Sequence, residues 1–384
     1  MSLDDVAAWT KRALPELTDD LRMLVELETP SDDKVLLDRG LDALSRWLVE
    51  RLGEPDETTR YDGGEWGDAL HATYTGTRPG TVLILCHYDT VWPAGTLAEW
   101  PFEVRDGRAT GPGVFDMKHG IVQAVWALRC LRELDLPRPT VRLLFNGDEE
   151  IGSPAARPHI ERLSEDTLAT LVLEASADGA LKTVRKGVGL FDVTVEGIES
   201  HAGLDPDAGV SAIHQLAELV PAIVGAAAPE KGTTINVGLI RGGTGRNVVA
   251  RHATCGIDIR VSDPAELERL DAVFAGLRLS DPRAQLTVNG EWNRPPMVAH
   301  DASRALFAVA RGVAEELGWA ELDGVAVGGA SDGNFVSALG RPVLDGLGAV
   351  GSGAHARHEH VLLDHLPGRT ALVAGILSAL AERS

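Results

Sequence analysis

The sequence predicts an α/β protein. Its main part is a mixed, mostly parallel sheet with helices on both faces, interrupted by an inserted α+β domain of ferredoxin-like order. Three observations carry this. TVLILCHYDT, TVRLLFNGDEE and LATLVLEAS are short apolar runs that each end in polar or acidic residues, the pattern of buried strands feeding loops. A helix-like stretch at 119–134 lies between the first two, giving the strand–helix–strand order of an α/β sheet. Near residue 183 the character changes, and GLFDVTVEGIE alternates with period two as a half-exposed strand does.

In chain order, residues 3–27 and 35–53 carry apolar residues at helical spacing. ETPSDDK separates them, with Ser31 or Asp32 as the expected N-cap of the second helix. The three apolar strands and the helix at 119–134, which ends near Leu136-Pro137, follow. Beyond residue 183 come a strand, a helix at 209–225, strands at 233–241 and 252–261, a helix at 264–277 and a strand at 284–291. That β-α-β-β-α-β order is the split βαβ arrangement. After RPPM the α/β character returns, with a helix at 302–317, the glycine-rich AVGGASDGNF, strand-like RPVLDGLG, the polar loop GSGAHARHEHV and a closing helix at 365–383. The expected division is a discontinuous catalytic domain, 1–182 and 296–384, and an inserted lid or dimerisation domain, 183–295. One open face and one open edge of the inserted sheet are natural places for a partner copy.

Composition narrows the function classes. With 44% hydrophobic and 24% charged residues, the chain has the makings of a packed globular core, which excludes disorder. A formal charge of −21 repels phosphates and argues against a nucleic-acid partner. Cys86, Cys130 and Cys255 are too dispersed for a disulfide framework or a zinc knuckle and read as small buried hydrophobes. The opening MSLDDVAAWTKRALPEL lacks an apolar signal core, and no apolar run reaches the roughly 18 residues of a membrane span. The expected location is the cytoplasm, with no membrane partner.

Five short segments offer metal-type ligands at a strand end or in a loop. His87 and Asp89 lie in HYDT, Asp116 in GPGVFDMKHG, and Glu149 and Glu150 in NGDEE. Glu174 ends LVLE, and His355 lies in GSGAH. Each alone reads as a turn, a cap or a solvated side chain. Together they crowd carboxylates onto one edge of one sheet, where ligands bind in open α/β folds. Such crowding is costly without counter-cations, and a divalent metal pair resolves it. Two imidazoles with carboxylates suit zinc better than magnesium or calcium, and cobalt or manganese can substitute.

The set HYDTV, GPGVFDMKHG, FNGDEEIGS, LVLEAS, ESHAG, GGASDGNF and GAHARHEHV resembles the di-zinc carboxypeptidase/deacylase family. That family includes bacterial glutamate carboxypeptidase, acetylornithine deacetylase, succinyl-diaminopimelate desuccinylase and aminoacylase. The likeness runs over nearly the whole chain and is strongest to the glutamate carboxypeptidase branch. The resemblance implies two zinc ions per chain bridged by Asp116. It assigns His87 and Glu174 to one ion, Glu150 and His355 to the other, and Glu149 as general base. It makes Asp89 the group orienting His87, and His201 of ESHAG an oxyanion donor reaching across a homodimer. It further implies a cis Asp116–Met117 peptide.

At the substrate end, the resemblance assigns Asn247 and Arg260 to the terminal carboxylate and carbonyl of the substrate. An arginine fork suits that task because it reads a carboxylate bidentately. Arg294 resembles a second family arginine. The GGASDG loop, with Gly329 and Ser331, has backbone N–H groups suited to an anion. Some features depart from the pattern or go unexplained by it. His119 replaces a common glycine and is expected near the mouth of the site, and His358 competes with His355. Trp92, Trp100 and Trp292 are unassigned. The expected activity is hydrolysis of an amide beside a free C-terminal amino acid, glutamate-like favoured, in a small molecule or short peptide. The alternatives are an N-acyl-amino-acid deacylase, a dipeptidase, and a catalytically silent binding protein on the same fold.

Overall fold

The computed structural model describes residues 3–383. Its chain divides into two compact units. The larger runs to Val184 and resumes at Ala299–Ala326 and from Ser331; the inserted one comprises Arg185–Val298 and Val327–Ala330. That last segment, expected with the catalytic domain, groups with the insertion. Arg185, itself buried, donates from Nη1 to the carbonyls of Gly329 and Ala330 at 3.2 and 3.1 Å.

The larger unit is built on a six-stranded sheet. Its order is Glu57–Tyr61, Ala69–Tyr74, Thr140–Asn146, Thr81–His87, Ala169–Val172, Val343–Leu344. The last four run parallel, and Ala69–Tyr74 is antiparallel to both its neighbours, so the sheet is mixed and mostly parallel. The parallel strands are continuous apolar runs because helices cover both faces. His119–Glu133 and Leu366–Ala381 pack together and are buried nearly all round, and so carry almost no polar stripe. At the N-terminal end the chain forms helices Leu3–Arg12, Leu14–Val25 and Lys34–Leu52. The N-cap of the third is Asp33 rather than Ser31 or Asp32, its carboxylate accepting from the N–H groups of Val35 and Leu36. Ser31 is committed elsewhere, to Asp89.

Two features had no signal in the apolar pattern. The edge strand Glu57–Tyr61 and its neighbour Ala69–Tyr74 were not anticipated; the first is mostly polar and exposed. A small antiparallel sheet joins Glu103–Arg105, Arg108–Thr110, His360–Leu362 and Gly351–Ser352. Its strands are too short to show a period. They nevertheless bring the GPGVFD loop beside the GAHARHE loop.

The inserted unit has strands Gly187–Glu196, Thr234–Gly242, His252–Val261 and Gln285–Arg294, with helices Ala212–Gly225 and Ala265–Gly276 between them. Taken by chain position, the strands lie in the order second, third, first, fourth, all neighbours antiparallel. This is the split βαβ topology. Alternate residues of His252–Val261, from Ala253 to Val261, are buried in its core, while Thr254, Gly256, Asp258 and Arg260 sit on the other, open face.

Glu266 anchors this unit. It is buried and accepts from Thr233 Oγ1 at 2.8 Å, Lys231 Nζ at 3.2 Å and the Arg269 guanidinium. The hydrogen bonds from Arg269 are the main cause that holds its carboxyl down to about 2, from an ordinary 4.5. A depressed folded-state pKa adds stability above the unfolded value, and that stability is lost as the group protonates. The wild-type protein should therefore lose stability as pH falls from about 4.5 toward 2, and Glu266→Gln should lack that component. Melting both proteins across this range checks it; parallel curves would remove Glu266 as the cause.

Candidate metal centre

The centre is assembled within the larger unit at the C-terminal ends of the parallel strands. His87 is the last residue of Thr81–His87, and Glu174 follows Ala169–Val172 by two residues. Glu149 and Glu150 open a one-turn 3₁₀ helix just beyond Thr140–Asn146. Asp116 lies in the irregular turn Val114–Lys118, preceded by Gly113 at φ 73°, and the Asp116–Met117 peptide is cis. That conformation suits a glycine at 113. Gly120 is required for another reason: a Cβ there would sit 2.0 Å from the Leu173 carbonyl oxygen, so only glycine lets this helix approach the strand bearing Glu174. The spacing of glycines in GPG-x-x-D-x-K-x-G thus has a steric basis.

Asp116 straddles two imidazole–carboxylate pairs. His87 Nε2 lies 3.3 Å from Asp116 Oδ1 and 3.2 Å from Glu174 Oε1. His355 Nε2 lies 3.4 Å from Asp116 Oδ2 and 3.0 Å from Glu150 Oε2. Glu149 offers a further carboxylate oxygen within 4.8 Å of His87 and Glu174 ligand atoms. Two ligands about 2.1 Å from one tetrahedral ion lie about 3.4 Å apart, so this spacing matches ligands round a shared cation. The floor is buried, while the His355 side chain is 53% exposed.

Two buried atoms point the same way. His87 Nε2 and Glu150 Oε1 make no hydrogen bond. The tautomer of His87 is set from its other nitrogen, since Nδ1–H donates to the Asp89 backbone carbonyl at 3.1 Å. That leaves the Nε2 lone pair facing the carboxylates, as a metal ligand requires.

Without cations the cluster draws in protons. Burial works to lower the pKa of His87, but the carboxylates of Asp116, Asp89 and Glu174 push it well above the usual histidine value. Asp116 and then Glu150 push His355 up to about 10. Burial pushes Glu150 up to about 7, whereas the imidazoles of His355 and His87 hold Asp116 far below the carboxylate range against its burial. Imidazolium charge here occupies the electrostatic role that divalent cations fill, so metal uptake should release protons.

Asp89 does more than orient His87. Its fully buried carboxylate accepts from the N–H of Glu149 at 3.2 Å, the N–H of Glu150 at 3.1 Å and Ser31 Oγ at 2.8 Å. It thereby clamps the turn that presents both glutamates. Ser31 was expected only as a helix cap, and Glu359, which the G-x-H-x-x-x-E spacing pairs with His355, was given no role. Glu359 is buried below the GPGVFD loop and accepts from its N–H groups. Burial pushes its carboxyl up to about 7 against those hydrogen bonds. The G-x-H-x-x-x-E spacing was the one available signal for it.

Of the two competing histidines, His355 makes the contacts with Asp116 and Glu150; the carbonyl of His358 accepts from His360 Nδ1. His119 does not line an open mouth. It is buried within His119–Glu133, and burial lowers its pKa to about 3, leaving a neutral ring. Ser331 is likewise buried, its hydroxyl donating to Asp345, so that side chain is engaged in holding the loop. Cys86, Cys130 and Cys255 are buried free thiols.

The remaining substrate candidates belong to the inserted unit. His201 is exposed, and its Nδ1 accepts from the N–H groups of Gly203 and Leu204, both at 3.1 Å. The Asn247 carbonyl accepts from the N–H of Ala202 at 3.0 Å, which joins the His201 and Asn247 loops. Arg260 pairs with Asp258 of its own strand through two 2.8 Å bonds. Arg294 is buried, with Nη1 donating to Asn293 Oδ1 at 3.0 Å. Trp292 packs edge-on against Phe191 and donates to Asp271 at 2.8 Å. Gly329 is exposed, its carbonyl held by Arg185 as described above.

The chain is similar to carboxypeptidase G2 of Pseudomonas sp. strain RS-16, 28% identical over 380 residues that cover 95% of this chain and 89% of that one. It is also 28% identical to the succinyl-diaminopimelate desuccinylase of Dechloromonas aromatica strain RCB, over 79% of this chain and 85% of the relative. Among solved structures, aminopeptidase PepT from Bacillus cereus ATCC 10987 shares the fold with a TM-score of 0.77 at 21% identity, covering 96% of this chain and 99% of its own. The model of peptidase family M20/M25/M40 matches residues 83–379, and the chain belongs to that family.

Proposed function

We propose that this metal-dependent hydrolase holds two zinc ions and cleaves the amide bond next to a free C-terminal amino acid, glutamate-like favoured. The observation that carries the reading is Asp116, whose two oxygens face His87 with Glu174 on one side and His355 with Glu150 on the other. Bound there, the cations supply Lewis acidity, polarising a carbonyl and lowering the pKa of a water toward about 7. Glu149, outside the Asp116-centred set, would take the proton of the attacking water and pass it to the leaving amine. Asp89 keeps Glu149 and Glu150 in register through their N–H groups. His201, with Nδ1 accepting, carries its ring proton on Nε2 and serves as the oxyanion donor. Support for the terminal carboxylate comes from Arg260 on the open face of its sheet and from the likeness to a carboxypeptidase over most of both chains. Arg294, Asn247 and the Gly329 loop complete the proposed substrate contacts.

The test is a panel of N-acyl amino acids offered to zinc-loaded and chelator-treated protein, with metal counted per chain. The expected result is chelator-sensitive release favouring glutamate or aspartate, with about two metals per chain. Absence of metal uptake would overturn the reading. Release governed by the acyl group rather than the amino acid would favour an N-acyl-amino-acid deacylase, the second reading, which the desuccinylase relative supports. Arg260→Ala should mainly raise KM for substrates with a free carboxylate, with little change for amidated ones. Equal losses on both would remove Arg260 as the carboxylate reader.

The proposal extends to a cytoplasmic homodimer formed through the inserted unit. Thr234–Gly242 is an edge strand with Leu239 and Ile240 more than 60% exposed. Helix Ala212–Gly225 adds the exposed Ile213 and Val224. An uncovered apolar edge strand favours pairing with another strand. Light scattering reports the mass; a monomer at working concentration would refute the dimer.

A further inference from the structure

We propose that Glu359 positions the bridging carboxylate of Asp116, and that the Trp92 indole completes this clamp. The effect is to make metal affinity depend on a side chain that touches no ligating atom. This rests on the metal reading above.

The geometry is specific. Glu359 Oε1 accepts from the N–H of Phe115 at 2.8 Å and the N–H of Asp116 at 3.1 Å. Oε2 accepts from the N–H of Gly113 at 3.1 Å and from Trp92 Nε1 at 2.9 Å. One fully buried carboxylate thus receives three backbone donors from the irregular turn that carries Asp116, and a fourth from a loop more than twenty residues earlier. The position of Asp116 matters unusually, because its two oxygens must serve two imidazole–carboxylate pairs at once. Trp92 is itself braced. Its ring lies edge-on to Trp100 at 5.0 Å, and the Arg357 guanidinium lies over both rings, 5.6 and 6.0 Å from their centroids.

All four partners of Glu359 are donors, so the site has use only for an acceptor. A glutamine has one acceptor oxygen. Its NH₂ would face either Phe115 and Asp116 or Gly113 and Trp92, donor against donor, whichever way it turned. Glu359→Gln therefore frees one side of the clamp while keeping the side chain's volume. Trp92→Phe removes one donor and keeps an aromatic ring.

The test is zinc binding to metal-stripped wild-type, Glu359→Gln, Trp92→Phe and Trp292→Phe proteins by competition with a chelator. Amide exchange of the 111–117 segment is followed in the metal-free forms. Glu359→Gln should weaken zinc about 10- to 100-fold and speed exchange on the side its NH₂ faces, at Phe115 and Asp116 or at Gly113. Trp92→Phe should weaken zinc up to about tenfold. Trp292→Phe loses its indole bond to Asp271 in the inserted unit and should leave zinc binding as in wild type. If the Glu359 and Trp92 variants bind as wild type does, or if Trp292→Phe weakens zinc as much as Trp92→Phe, the proposal fails. Should the wild type itself take up no zinc, the proposed function falls. Unchanged exchange in Glu359→Gln would still overturn the clamp on its own.

Discussion

Replacing Glu149 with alanine is expected to lower kcat by about 10²- to 10⁴-fold while metal content stays at the wild-type level. The reasoning separates the side chain from its backbone. The N–H of Glu149 donates to Asp89, and alanine keeps that bond, so the turn presenting Glu150 survives. None of the residues paired through Asp116 is altered. What disappears is the carboxylate proposed to hold the proton between attack and departure of the amine. A loss of this kind lowers kcat and kcat/KM together, because the interaction is made in the transition state. Steady-state kinetics with metal analysis of the same sample decides it. Unchanged turnover would remove Glu149 as the base. Loss of metal would make it a ligand, an outcome with a basis in its closeness to His87 and Glu174.

The second large effect is expected from His201. His201→Ala should lower kcat by about 10²- to 10³-fold, with metal content and stability intact. Its side chain is exposed, so little packing is lost. Its Nδ1 accepts from two backbone N–H groups, which leaves the ring proton on Nε2 as a donor suited to a developing oxyanion. In a homodimer the defect should be partly repaired in trans. Mixing His201→Ala with Glu149→Ala subunits would restore activity if each site borrows its donor from the other chain. No recovery in a verified mixed dimer would place the donor within one chain or remove the role.

Much of this was legible in the sequence because it is local. A buried parallel strand must be apolar along its length and must end where the backbone meets polar surroundings. The strands ending at His87, Asn146 and Val172 could therefore be read directly. Ligand types and the glycines around Asp116 follow the same logic, since a cation demands particular atoms and a close helix approach at Gly120 forbids a Cβ. Less visible were features whose partners lie far away in the chain. The small sheet joining Arg108–Thr110 to His360–Leu362 has no periodic signature in either piece. His119 looked like a feature of the mouth because it neighbours the D-M-K motif. The helix instead turns it into the core, and a one-residue step on a helix changes the facing by about 100°. Ser331 sat in a loop rich in glycine and looked available, but Asp345 takes its hydroxyl.

By itself, then, the sequence determined which atoms are present for chemistry and that they fall at strand ends or in loops. It also set the order of both units, since hydrophobic period and glycine placement are properties of neighbouring residues. Only the tertiary structure decided how those atoms share work. It placed one Asp116 oxygen against each imidazole and made Asp89 a clamp on the Glu149–Glu150 turn. It also closed four donors around Glu359. The reason is physical. Hydrogen bonds and ligand spacing are set to tenths of an ångström between segments many residues apart, and only packing fixes distances on that scale.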